Sequence, residues 1–151
     1  VIADHIEREL LIDAPVDVVW SVVTEPEQIT RWFTDGAELD LRSGGRGAFS
    51  WNGFGTVVLR VERVERPHRF SFRWSHPEGQ QPHPGNSTLV EFTLTDEGGR
   101  TRLRVVESGL LAIDWTDDQK SDFYDSHTSG WDRHLADLAK YIAGGRQLSV
   151  R

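Results

Sequence analysis

Apolar and polar residues alternate with a period of two through the middle of the chain and recur at helical spacing toward both ends. A first strand is predicted over residues 4–13, closing on Leu10-Leu11-Ile12. Asp13-Ala14-Pro15 then marks a helix start, since proline suits a first helical turn. Val16, Val19, Trp20 and Val23 follow on one helical face, and Glu25-Pro26 ends that segment. A second short helix is predicted from Pro26 to Phe33, with Ile29, Trp32 and Phe33 as its apolar side, and Asp35-Gly36 breaks it.

A run of strands follows. Phe49 and Trp51 share one face of the first, and Asn52-Gly53 is a hairpin signal. Val57, Leu59 and Val61 alternate with Val58, Arg60 and Glu62; after Pro67, Phe70, Phe72 and Trp74 alternate with Ser71 and Arg73. Residues 75–87 read as a His-, Pro- and Gly-rich loop. Val90, Phe92 and Leu94 form the next inward set, Glu97-Gly98-Gly99 turns the chain, and Leu103, Val105 and Glu107 oppose Arg102 and Arg104. A final helix is predicted from about Asp117 to Ala143, ended by Gly144-Gly145. His127, Trp131, Leu135, Leu138 and Ile142 form its single stripe. That stripe must be buried, and the concave face of the sheet is the one partner large enough. The fold class expected is therefore α+β: a curved antiparallel sheet of about six or seven strands around a long C-terminal helix, with two short helices after the first strand. One domain is expected over 1–151.

Bulk properties narrow the function. A net charge of −7 argues against nucleic-acid binding, which needs a basic face, and against anionic membrane surfaces. No apolar run is long enough to span a bilayer, and the first residues lack a basic start and apolar stretch, so a cytoplasmic location is expected. With no Cys there is no disulfide, thiolate nucleophile or Cys-ligated zinc. Six Trp and seven Phe are a heavy aromatic load, which fills a core or lines a pocket.

Several ordered motifs resemble the START-like (SRPBCC) superfamily and, more narrowly, the family of activator of heat-shock protein 90 ATPase homologue-like domains. They are Ile12-Asp13-Ala14-Pro15 with Val18-Val19-Trp20, Pro26 to Phe33, Gly44-Gly45 with Phe49 and Gly55, Pro67-His68-Arg69-Phe70 with Trp74, Glu107-Ser108-Gly109-Leu110, and Gly130-Trp131 with Leu135, Leu138 and Tyr141. The resemblance implies a helix-grip fold. That fold hosts ligand binders, cyclases, lipid carriers and co-chaperone domains, so it implies no single activity.

The ligand-binding residues expected are Trp32, Trp51, Phe72, Trp74, Trp115 and Trp131, joined by Glu107 and His127. The bland reading of each aromatic is core packing. Glu107 shares the inward face with Leu103 and Val105; buried, it would orient a ligand or act as an acid or base, and at a rim it would be solvated. His127 shares a helix stripe with Trp131 and is expected near Glu107 or at a helix–sheet seam. His76 and His83 match no zinc spacing, and the Asp114–Asp125 acids match no calcium loop, so neither metal nor cofactor is expected. The leading function is binding of a hydrophobic or aromatic small molecule, not catalysis. Protein interaction of a co-chaperone kind comes second, and a cyclase or lyase on a polyketide-like substrate third. An edge strand could also pair with a second copy as a homodimer.

Overall fold

The computed structural model describes residues 3–75 and 81–149. Strand β1 (Ile6–Ile12) leads through Pro15 into helices α1 (Val16–Thr24) and α2 (Pro26–Ile29). Strands β2 (Gly36–Leu39), β3 (Arg46–Trp51), β4 (Gly55–Glu65), β5 (Arg69–Ser75), β6 (Ser87–Glu97) and β7 (Arg100–Ser108) follow. A short 3-10 turn at Leu110–Ala112 precedes the long helix α3 (Asp117–Ser149).

All seven strands form one antiparallel sheet in the order β1-β7-β6-β5-β4-β3-β2. Six strands run as a meander and β1 closes on β7, pairing Ile6 with Glu107 and Ile12 with Thr101. The sheet does not close into a barrel. Its concave face carries the inward set read from the alternation: Phe49, Leu59, Val61, Phe70, Phe72, Val90, Phe92, Leu94, Leu103 and Val105 are all buried. The α3 stripe of Trp131, Leu135, Leu138 and Ile142 is buried in the same core cluster. On the opposite face, Arg102 pairs with Glu9 and Glu97, and Arg104 with Glu7. These pairs are exposed and contribute little stability.

Three local expectations change, and the Asn52-Gly53 hairpin is found where its signal put it. Gly36 opens the short edge strand β2 where a break was expected, because its residues pair with Phe49 and Ser50 of β3. Helix α2 ends at Ile29, and the predicted remainder to Phe33 is turn. The hairpin signalled by Asn52-Gly53 joins β3 to β4 through three loop residues, with Trp51 opposite Gly55, Gly53 at φ +85° and Phe54 at the tip. Helix α3 runs through Gly144-Gly145 to Ser149, since glycine only weakens a helix interior by about 1 kcal/mol each. Among the described residues no helix is long and apolar enough to cross a membrane.

Candidate functional site

The register of three neighbouring strands explains where the site forms. Trp74 of β5 pairs with Thr88 of β6, and Val90, two residues on, pairs with Glu107 of β7. Thr88 and Glu107 are therefore diagonal neighbours on the concave face, within side-chain reach of Trp74. Helix α3 crosses above them and lowers His127 and Trp131, one turn apart, onto the same point.

The result is a buried carboxylate held by four donors. Glu107 is 2% exposed. Its Oε2 accepts from the Trp74 indole at 2.9 Å and from the Thr88 hydroxyl at 2.5 Å. Its Oε1 accepts from the Trp131 indole at 2.9 Å and from His127 Nδ1 at 2.8 Å. Burial pushes the carboxyl up, but the charge and hydrogen bond of His127, with the bonds from Thr88 and Trp131, outweigh it and hold the group down at about 2. Glu107 is thus an anion with its acceptor positions filled, not a proton donor.

That assignment fixes a pH response. A carboxyl lowered by folding stabilises the fold above its unfolded value, near 4.5, and that stability is lost as the pH falls toward 2. Unfolding free energy is expected to drop across that window and to do so far less in Glu107→Gln. Urea titrations at several pH values check it. High salt in the titration suppresses the contributions of Glu7 and Glu97, whose lowered carboxyls sit in exposed pairs with Arg104 and Arg102.

Beside this cluster a cleft of about 460 Å³ opens between the sheet and α3. Phe33, Trp51, Phe54, Val57, Trp74 and Trp131 supply its apolar wall, and Ser126, His127, Gly130, Arg133 and His134 its α3 side. The rings are fixed by one another. Phe33 stacks on Trp131 at 5.4 Å between centroids and meets Trp51 edge-on at 5.6 Å. Trp51 also donates its indole N–H to the Phe33 carbonyl at 2.8 Å. Phe54 stands at the mouth, 89% exposed. The His134 ring meets Phe33 edge-on, and burial lowers its pKa, favouring the neutral form.

Of the residues singled out from the sequence, Trp51, Trp74, His127 and Trp131 line this cleft, and Glu107 lies behind its wall. Phe72 is fully buried within the core and does not reach the cleft. Trp32 donates to the Val22 carbonyl and borders a separate hollow with Arg31, Asp137 and Lys140. Trp115 packs with Leu110, Ile113 and Phe123 in a second small cluster. His83 accepts from the Gly85 amide inside its own loop, and His76 lies outside the described residues. Phe33, Phe54, Arg133 and His134 line the cleft but were not singled out. The available signals were that Phe33 lies on the apolar side of the predicted second helix and that Arg133 and His134 flank the Trp131 stripe.

Comparison with known proteins matches the chain to a family. The family described as Activator of Hsp90 ATPase homolog 1-like protein matches residues 13–143. No curated protein matches the chain. Among solved structures, CalU16 from Micromonospora echinospora is 31% identical, with a TM-score of 0.69 over 93% of this chain and 74% of that one. DynU16, a protein of the dynemicin biosynthetic locus, is 26% identical, with a TM-score of 0.77 over 95% of this chain. This chain spans 48% of DynU16, about half its length. The Aha1 dimer from Colwellia psychrerythraea is 19% identical, with a TM-score of 0.73 over 89% of this chain and 92% of that one; the likeness is one of fold alone. On the match across residues 13–143, the chain belongs to the Activator of Hsp90 ATPase homolog 1-like protein family.

Proposed function

We propose that this protein binds a flat, largely apolar aromatic molecule in the cleft between the sheet and α3. The observation that carries the reading is the wall of mutually packed rings from Phe33, Trp51, Trp74 and Trp131 around about 460 Å³ of open space. A volume in that range holds a small ligand, and rigid rings lose little entropy on contact. Likeness to a protein from a biosynthetic locus supports a small organic ligand. The co-chaperone alternative has the family description behind it, and no geometry among the described residues adds to it.

N-phenyl-1-naphthylamine, a neutral aromatic dye, tests the reading. Its emission is expected to rise on binding while the protein's tryptophan emission is quenched, because Trp51, Trp74 and Trp131 form the wall. A dye that stays dark with the folded protein counts against the cleft as a binding site. Phe54→Ser should weaken dye binding about tenfold, near 1.4 kcal/mol, by removing the ring at the mouth. Its stability should stay within about 0.5 kcal/mol of the parent, since an 89% exposed side chain contributes little to the core. Unchanged affinity in that variant would place the dye elsewhere.

A further inference from the structure

We infer that Gly130 is a specificity-determining residue of the cleft: its missing side chain leaves bare α3 backbone on which the flat face of a rigid, fused-ring aromatic ligand rests. The inference rests on the cleft being a binding site. Glycine weakens a helix interior, because it loses the most conformational freedom on folding and brings no side chain to pack. Gly130 nevertheless sits well inside α3 (Asp117–Ser149). Its φ is not positive, so no turn requires glycine there. Packing among the described residues does not require it either. A Cβ built on Gly130 would meet one of their atoms within 4 Å, Cδ2 of His134, and that at an ordinary contact distance of 3.9 Å. Gly47 is the contrast: a Cβ there would stand 2.7 Å from the Glu38 carbonyl oxygen, so the neighbouring strand excludes a side chain.

What sets Gly130 apart is where the open space lies. Gly144 has open space too, but it lies toward the end of α3 and does not line the cleft. Ser126, Arg133 and His134 are each one turn of α3 from Gly130, and all four line the cleft. The His134 ring that an added Cβ would touch meets Phe33 edge-on at 4.9 Å between centroids, and Phe33 stacks on Trp131. A Cβ at position 130 therefore projects beside the ring wall, into space the cleft otherwise leaves to a ligand. Close approach of backbone to a ligand is one of the few uses that offset the cost of a mid-helix glycine. The ligand class follows from shape. Bare backbone opposite fixed indole and phenyl rings accepts the face of a planar polycycle. A flexible chain can bend around a methyl group at 130, whereas a rigid fused ring cannot.

The test uses N-phenyl-1-naphthylamine and two substitutions, Gly130→Ala and Gly130→Leu, both to good helix formers. Without dye, Gly130→Ala is expected to melt about 2–4 °C above the parent. With dye, its Kd should rise about tenfold, and that of Gly130→Leu about 100-fold, because each added group fills space the dye needs. A gain in stability with a loss of binding is the signature, since a merely structural glycine would not give both. A lower melting temperature in Gly130→Ala would mean that the protein itself covers this backbone, and would overturn the inference. Unchanged Kd in both variants, with Phe54→Ser still weakening the dye, would also overturn it and leave the binding reading standing. Dye that does not bind the parent, or that binds with indifference to Phe54→Ser and to both Gly130 variants, defeats both.

Discussion

Glu107→Ala is expected to cost about 3–5 kcal/mol of unfolding free energy, the scale for removing one partner from a buried charged cluster. The reason lies with what remains. The substitution leaves a hole where one carboxylate had accepted from the Trp74 and Trp131 indole N–H groups, the Thr88 hydroxyl and His127 Nδ1; Trp74 keeps Thr88 Oγ1 as an acceptor at 2.9 Å, while the Trp131 N–H loses the acceptor it had in Glu107. Glu107→Gln keeps the shape and one acceptor oxygen, but turns an amide N–H₂ toward donors. Its cost is expected to be smaller, about 1–3 kcal/mol. Equilibrium urea unfolding by tryptophan fluorescence measures both. An alanine variant that unfolds at the parent's midpoint would mean that water readily replaces the carboxylate and that the site is not sealed.

Trp131→Ala should cost a similar amount, about 3–5 kcal/mol, by a different route. Trp131 is 3% exposed and joins α3 to the sheet. Its ring contacts Phe33, Trp74 and Phe92, so truncation removes packing from both layers. Trp131→Phe separates the two contributions. It keeps most of the ring contact but takes one donor from Glu107, so its loss should be about 1–3 kcal/mol. The same change should move the acid-unfolding transition to higher pH, because the carboxylate is then less well held. The Glu107 and Trp131 substitutions touch one network, so the double variant should cost less than the sum of the singles. Full additivity would show that the 2.9 Å bond between them contributes nothing.

Much of the fold was legible in the sequence. Phe70, Phe72 and Trp74 alternate and all three are buried; Leu103, Val105 and Glu107 do the same. Periodicity reports which face of an element is buried, and burial is the dominant free energy of folding. The short elements were less legible. Strand β2 has four residues, too few to show a period, and exists through its pairing with β3. The glycine pair at 144–145 carried a stop signal that a long helix overrides at modest cost.

The candidate site was legible only in part. Trp74, Glu107, His127 and Trp131 stood out one by one, as inward-facing residues of their own elements. Phe33 was read only as part of the apolar side of the second short helix, and Phe54 not at all, because it tips a hairpin, where no periodicity points the side chain. Trp32, Phe72 and Trp115 looked equivalent to the cleft tryptophans, yet each is spent on other contacts.

The sequence by itself determined the order of elements and their buried faces, and it put Glu107 and His127 on inward positions while leaving open whether either was buried. Those are local properties, set by spacing within one strand or one helix. Only the tertiary structure decided that they meet. Trp74 lies 33 positions from Glu107, and Trp131 lies 24 from it. Their convergence depends on the register of β5, β6 and β7 and on how far α3 is shifted along the sheet. A shift of one residue in any of them would remove a donor from the buried carboxylate or turn the carboxylate itself away. That energetic penalty, rather than any motif, is what makes the site specific.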